Sequence, residues 1–161
     1  IVKIPSLSLL HTHALVTIGH IRDVTPRLKL FESVKELGVS LPTVVSPFAY
    51  VSMHSQVDIG TIIMHHALVN SGAKIGANCI INSKALVEHD SEIGDHCHIS
   101  TSSVINGGVK IGSGTFVGSC AVVREGIKIG NGCLIAAGSV VMKSLENNTF
   151  YKNWLCASNL H

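Results

Sequence analysis

The sequence predicts an all-β solenoid of triangular cross-section, preceded by a partial α/β segment. Three observations carry this. Every sixth residue from Val45 through Val51, Val57, Ile63 and Val69 to Ile129, Ile135 and Val141 is isoleucine or valine. Two residues before each of these stands a nearly always small side chain, such as Ala67, Ala73, Cys79, Ala85, Ser91, Cys97 and Ser103. The 161 residues are 46% apolar yet only 4% aromatic and 14% charged, as expected of a narrow core filled by small branched side chains.

Each hexad reads as a short strand and a corner. A strand points residues i and i−2 to the same face, so one branched and one small residue turn inward together. Asn70, Gly76, Asn82, Gly94, Asn106, Gly112, Gly118 and Gly130 follow the branched column. Glycine and asparagine tolerate the left-handed backbone of a sharp turn. The pairs Ile75-Gly76, Ile93-Gly94, Ile111-Gly112 and Ile129-Gly130 recur at intervals of 18 residues, which is three hexads and one coil. Parallel strands stack about 4.8 Å apart, so the seventeen hexads build between five and six coils, a prism roughly 27 Å tall.

Residues 45–145 form this β-helix domain. Residues 1–44 do not follow the frame. Residues 14–19 read as a buried strand ending at Gly19, and residues 25–37 as a helix with Pro26 near its start and Gly38 after its end. A strand and a helix are half of an α/β, Rossmann-like unit and cannot bury their faces alone, so the missing half is expected upstream. Residues 146–161 form a tail containing Trp154 and Cys156, without a readable pattern.

Composition also excludes partners. Twelve Lys and Arg stand against ten Asp and Glu, a net +2 with no basic run, which gives no nucleic-acid surface. No apolar run is long enough to span a membrane, and residues 4–20 lack the continuous apolar core of a signal peptide. Five cysteines without framework spacing point to a reducing, cytoplasmic setting.

The ten histidines hold the candidate chemistry, with His65, His66, His89, His96 and His98 falling near one coil's reach. The sharpest string is Glu88-His89-Asp90. His89 sits two residues beyond an inward valine, so it projects outward at a corner with a carboxylate beside it. Such a pair fits a general base with an orienting acceptor. From the residues alone it also fits a surface histidine on a solvated turn. His65-His66 reads as a surface pair or as lining a seam between subunits. Cys79, Cys97 and Cys133 fall in the small inward column and read as core. Cys120 points outward without a base, so an acyl-cysteine route is not favoured.

Glu88-His89-Asp90, Ile93-Gly94, His98-Ile99-Ser100, Gly107-Gly108-Val109 and Ile111-Gly112 closely resemble one branch of the hexapeptide-repeat acyltransferases. It comprises sialic acid O-acetyltransferases (NeuD-type) and nucleotide-amino-sugar N-acetyltransferases (PglD-type), enzymes of cell-surface glycan biosynthesis. Leu41-Pro42-Thr43 through Pro47 and Ala49 resembles that branch's lead-in to its β-helix. The resemblance spans roughly residues 14–145. It implies a left-handed coil, a homotrimer, and acetyl-CoA lying in the groove between neighbouring prisms. By the same resemblance His89 is the general base, Asp90 the acid that orients it, with Glu88 a lesser substitute, and His98 a second histidine of the coenzyme and substrate site. Gly107 contributes a backbone N–H to the acetyl carbonyl. An extended pantetheine arm would meet one small corner residue per coil in the column Thr101, Ser119, Ala137, which makes Ser119 and Ala137 coenzyme contacts. Two features depart from the branch: no Gly-rich nucleotide loop precedes the helix, and Lys152-Asn153-Trp154-Leu155 lacks the Asn-Pro-Ala-like ending.

The expected activity is acetyl transfer from acetyl-CoA to the amino group of a nucleotide-linked sugar. The alternative is O-acetylation of sialic acid or a related sugar. A γ-type zinc carbonic anhydrase-like protein needs a three-histidine site, with two ligands five residues apart. His89, His96 and His98 are spaced seven and two, so no metal is expected. A non-catalytic trimeric scaffold is the remaining reading.

Overall fold

The computed structural model describes residues 11–153. Two-residue strands recur every six residues from Val44–Val45 to Val140–Val141, and one more follows at Phe150–Tyr151. All named pairings are parallel and join coils, most of them at a spacing of 18, as Ile99 to Val117 and Val87 to Ile105. Three sheets form the walls of the prism. The first starts at Val44–Val45 and has seven strands, the second starts at Tyr50–Val51 and has six, and the third starts at Gln56–Val57 and has five.

The inner columns are those the hexads predict. Ile63, Val69, Ile81, Val87, Ile99, Ile105, Val117, Val123, Ile135 and Val141 are buried, with Ala67, Ala73, Cys79, Ala85, Cys97 and Ala121 beside them. The lowest coil lacks a coil beneath it, so Val45 is exposed and Val51 and Val57 only half-buried.

The outer columns give the three walls different surfaces. The third sheet presents Gln56, Lys74, Glu92, Lys110 and Lys128, a solvent-facing stripe in which Lys110 Nζ meets Glu92 Oε1 at 3.1 Å. The second presents Tyr50, Leu68, Leu86, Val104, Val122 and Val140, apolar over its whole height and covered by no other element among the described residues. The first is also largely apolar, and the amino-terminal segment packs on its middle: Gly19 lies against Ile80 and His98, and His20 against His98 and Phe116.

Helix α1 (Thr25–Glu36) matches the expected helix, with Pro in its first turn. It runs along the corner between the third and first sheets. Phe31 covers Gly60, Arg27 Nε donates to the Asn78 carbonyl at 3.1 Å, and Val24 meets Gly114. From Val24 to Phe31 this segment touches four successive turns of that corner, at Gly60, Asn78, His96 and Gly114. Gly60 has φ +66° and a Cβ there would meet the Phe31 ring at 2.7 Å, so the contact requires glycine.

The strand expected over residues 14–19 does not form, and no α/β unit is present among the described residues. The segment makes a single bridge, His13 to Ser40, and then runs extended without a neighbouring strand. Its carbonyls go to a side chain instead. The fully buried Arg27 donates from Nη1 to the Val16 oxygen at 2.7 Å and the Ile18 oxygen at 2.6 Å. A buried arginine thus takes the place of a ladder.

The unread tail completes the prism. Leu145 bridges Ile129, and Phe150–Tyr151 pairs with Leu134–Ile135, both at a spacing of 16. The last corner after Val141 is two residues short, so Leu145 and Tyr151 continue the inner columns in a shifted frame. Trp154, Leu155 and Cys156 lie outside the described residues.

The docked segment carries a pH dependence. Burial, then the nearby His98 and Arg27, push His20 down to about 4. His96 and His98 beside it are also lowered, each chiefly by burial. The folded state resists protonation, so the unfolded chain binds more protons once pH drops below the ordinary histidine value of about 6.5. Stability is full above that value and falls as pH moves toward 4. Thermal melts should show the melting temperature dropping across this window, and dropping less in His20→Phe. An equal drop in both proteins would disprove the assignment to His20.

Candidate active site

His89 and Asp90 occupy the corner between the second and third sheets, where one strand ends at Val87 and the next begins at Glu92. Both side chains are exposed, and His89 Nδ1 lies 2.9 Å from Asp90 Oδ2. A carboxylate only accepts, so Nδ1 carries the proton and Nε2 is left as an acceptor. The ring lies over Gly107, the residue one coil above on the same corner. A Cβ on Gly107 would stand 2.6 Å from His89 Nε2. One coil below, a Cβ on Gly72 would collide with Asp90 Oδ1. Two glycines eighteen residues from their partners therefore make room for the pair. Gly107 was legible from its spacing; Gly72 was not singled out, although the same spacing from Asp90 marks it.

Glu88 does not touch the imidazole. Its Oε2 accepts from Asn70 Nδ2 at 2.8 Å and from the His89 backbone N–H at 3.2 Å. It fixes the turn that carries His89.

The corners differ in what their backbone N–H groups do. At the corner between the third and first sheets, side chains from the next coil cap them in series. Ala77 donates to Asp95, Asp95 to Ser113, Ser113 to Asn131 and Asn131 to Asn147. The N–H groups of Gly107, Thr101 and Ser119 take no acceptor among the described residues. At Gly107 the reason is Asn106, whose amide turns to the Val123 carbonyl instead.

The remaining expected residues do not gather around His89. Thr101, Ser119 and Ala137 form one column on the corner between the first and second sheets, so the second sheet separates them from His89. His98 begins a strand of the first sheet. Its Nδ1 meets the His20 carbonyl at 3.0 Å, its Nε2 meets Asn82 Nδ2 at 3.3 Å, and Phe116 packs edge-on at 5.2 Å. A carbonyl only accepts, so Nδ1–H is fixed and Nε2 accepts from Asn82. His96 lies on the corner between the third and first sheets, with its ring against Phe31 and Asn78. The histidines near one coil in sequence are thus spread over three corners. His89, His96 and His98 do not converge on one point.

Cys79, Cys97 and Cys133 are buried and Cys120 is exposed, as their columns predict. Each buried thiol donates to a carbonyl of the next coil, as Cys97 does to Gly112 at 3.2 Å. Thr61 and Thr115 do the same in that column. The Cys79 thiol and burial hold Cys97 well above its ordinary ionisation range, so it is no nucleophile.

The family description "Bacterial transferase hexapeptide (six repeats)" matches residues 72–107 and 108–143. A crystal structure of PerB from Caulobacter crescentus, in complex with CoA and GDP-perosamine, superposes with a TM-score of 0.86 at 33% identity, over 91% of this chain and 70% of that one. The chain belongs to the hexapeptide-repeat sugar acetyltransferases. Membership supplies the left hand of the coil and makes this protein an acyltransferase. The acetyltransferase domain of PglB from Neisseria gonorrhoeae, in complex with acetyl coenzyme A, matches at 27% identity and a TM-score of 0.86, over 91% of this chain and 70% of that one. WeeI from Acinetobacter baumannii matches at 25% identity and a TM-score of 0.68, over 79% and 62%. A sequence search of curated proteins returns no significant match.

The glycine beneath the His89 ring gives a local test. Gly107→Ala should leave the melting temperature within about 2 °C, since its backbone is not left-handed. Acyl transfer should fall about 10- to 100-fold, because the new methyl displaces His89. Unchanged turnover would show that the ring position is immaterial.

Proposed function

We propose that this protein transfers the acetyl group of acetyl-CoA to the amino group of a nucleotide-linked sugar, with His89 as general base. One observation carries the reading: an imidazole with its Nδ1 held by Asp90 and its Nε2 open lies beside the unused N–H of Gly107. Acyl transfer needs an acceptor for the proton and a donor for the oxyanion, and these two groups would supply them. The relatives solved with CoA or acetyl-CoA, and with GDP-perosamine, support the two substrates.

The chemistry follows from these atoms. The neutral sugar amine attacks the thioester carbonyl carbon, and a C–N bond forms. The carbonyl oxygen becomes an oxyanion, toward which the Gly107 N–H donates. His89 Nε2 takes the proton from the new ammonium, and Asp90 supports the resulting imidazolium. The intermediate collapses, the C–S bond breaks, and the CoA thiolate leaves and receives the proton from His89. The products are an N-acetylated sugar and CoA.

The working unit on this reading is a homotrimer. The uncovered apolar wall of Leu68, Leu86, Val104, Val122 and Val140 is a self-association face. The His89 corner borders one edge of that wall, and the column of Thr101, Ser119 and Ala137 borders the other. A cyclic, head-to-tail contact sets the first edge of one copy against the second edge of the next. The pantetheine arm would then lie along Ser119 and Ala137 of the neighbour, with the Ser119 N–H available to its amides. His98, whose Nε2 accepts from Asn82, is the second histidine of this coenzyme and substrate site on the same reading. The O-acetyltransferase reading uses the same base with a hydroxyl nucleophile.

The test is a free-thiol assay with acetyl-CoA against GDP-perosamine, UDP-amino sugars, CMP-sialic acid and free sialic acid. Transfer to an amino sugar nucleotide is expected, and His89→Ala should lower kcat about 10²- to 10⁴-fold. Full activity in that variant would reject His89 as the base. Leu86→Glu should give a monomer by sedimentation and abolish transfer. A fully active monomer would reject the shared site.

A further inference from the structure

The lower end of the corner that carries Thr101 and Ser119 holds an aromatic cluster that the mechanism does not use. Phe48 is 64% exposed, and its ring lies 5.7 Å from His65 and 5.8 Å from His66, centroid to centroid. The backbone locks the three together, because the His66 N–H donates to the Phe48 carbonyl at 3.0 Å. Both histidines are exposed. Nothing else in the described residues covers this exposed ring and its two imidazoles.

The cluster's height on the prism gives it a direction. Residues 47–48, 65–66, 83–84, 101–102, 119–120 and 137–138 are successive turns of one corner. His89 belongs to the same coil as residues 83 and 84, so Phe48, His65 and His66 lie one to two coils below it. Ser119 and Ala137 lie above it. Resting on the proposed seam between subunits, the donor occupies the upper half, and its thioester lies level with His89 and Gly107. The amine must approach the acyl carbon from the side away from the upper coenzyme arm, which is the lower half.

We infer that Phe48, His65 and His66 of one subunit form the acceptor-sugar subsite that serves His89 of the adjacent subunit. The chemistry fits a pyranose. A sugar ring has an apolar C–H face that packs on an aromatic ring, and a rim of hydroxyl groups that imidazoles can donate to or accept from. The subsite binds the acceptor in ground and transition states alike, so it governs the acceptor KM more than kcat.

The experiment uses the full chain and the acceptor of the panel above that binds wild type most tightly by calorimetry. The variant Phe48→Ala/His65→Ala/His66→Ala alters only exposed side chains. Its acceptor KM and its calorimetric Kd for that acceptor should rise about 10-fold or more, with the acetyl-CoA KM within about twofold and the sedimentation of wild type. Co-expression with His89→Ala should restore part of the activity, because mixed trimers contain a seam with both intact halves. An unchanged acceptor KM would overturn the subsite, and a rise in the acetyl-CoA KM alone would reassign the cluster to the donor. Calorimetry separates this proposal from the catalytic one: a raised acceptor Kd supports the subsite even where no acetyl transfer is found.

Discussion

The parallel ladder that joins most residues to the residue eighteen positions later is the constraint on which the rest of this structure depends. It sets every contact along the prism axis at a fixed short spacing, so each side chain stacks on its equivalents above and below. An inner column must then be uniformly narrow, which is why one branched and one small residue fill each hexad and rings are rare. The same rule places chemistry. His89 at a corner requires space one coil above, and Asp90 requires it one coil below; Gly107 and Gly72 supply it. The pair is held by repeat geometry rather than by a pocket. A concavity does lie elsewhere, along the glycine column Gly76, Gly94, Gly112 and Gly130 of the charged wall. A Cβ on any of these would strike the backbone of the next coil, so packing accounts for that trough.

What the sequence made legible follows from this regularity. The hexads, inner columns and the position of His89 could be read because each repeats at a fixed interval. The glycines after the branched column also repeat, but they serve close approach of the next coil: none of Gly76, Gly94, Gly112 and Gly130 has the expected left-handed backbone, which falls two residues on at Asn78, His96, Gly114 and Gly132. What escaped reading does not repeat. Residues 14–19 have the composition of a buried strand, but a strand also needs a partner, and here Arg27 takes the Val16 and Ile18 carbonyls. No local pattern announces that an arginine eleven residues on will satisfy a backbone. The final coil escaped because two residues are missing after Val141, which moves Leu145 and Tyr151 out of the six-residue frame. His98 was expected in the company of His89; in the protomer it is held by His20, Asn82 and Phe116, contacts that span up to 78 residues in sequence.

The three walls and three corners of the prism are built from the same hexad, and their differences divide the labour. The charged wall faces water. The first wall takes the amino-terminal segment, and α1 covers one of the corners beside it. At that corner Asp95, Ser113, Asn131 and Asn147 consume the turn N–H groups. The corners beside the apolar second wall cap the N–H groups of Ser71, Ser83 and His89 with the preceding side chain, but leave those of Gly107, Thr101 and Ser119 without an acceptor among the described residues. Backbone donors are costly to bury without partners. A surface that combines uncapped donors with an uncovered apolar wall is therefore suited to a ligand and a neighbour together, and the two needs coincide on one face.

This arrangement also explains why so little of the proposed site lies within a single protomer. On a rigid solenoid, two residues on different corners cannot approach each other by any local rearrangement, because a wall of paired strands stands between them. His89 and Ser119 can meet only if a second copy supplies one of them. Transfer across a seam lets one rigid repeat offer a base on one edge and a coenzyme track on the other. In the proposed trimer the symmetry of the assembly, rather than folding of the chain, brings the two together.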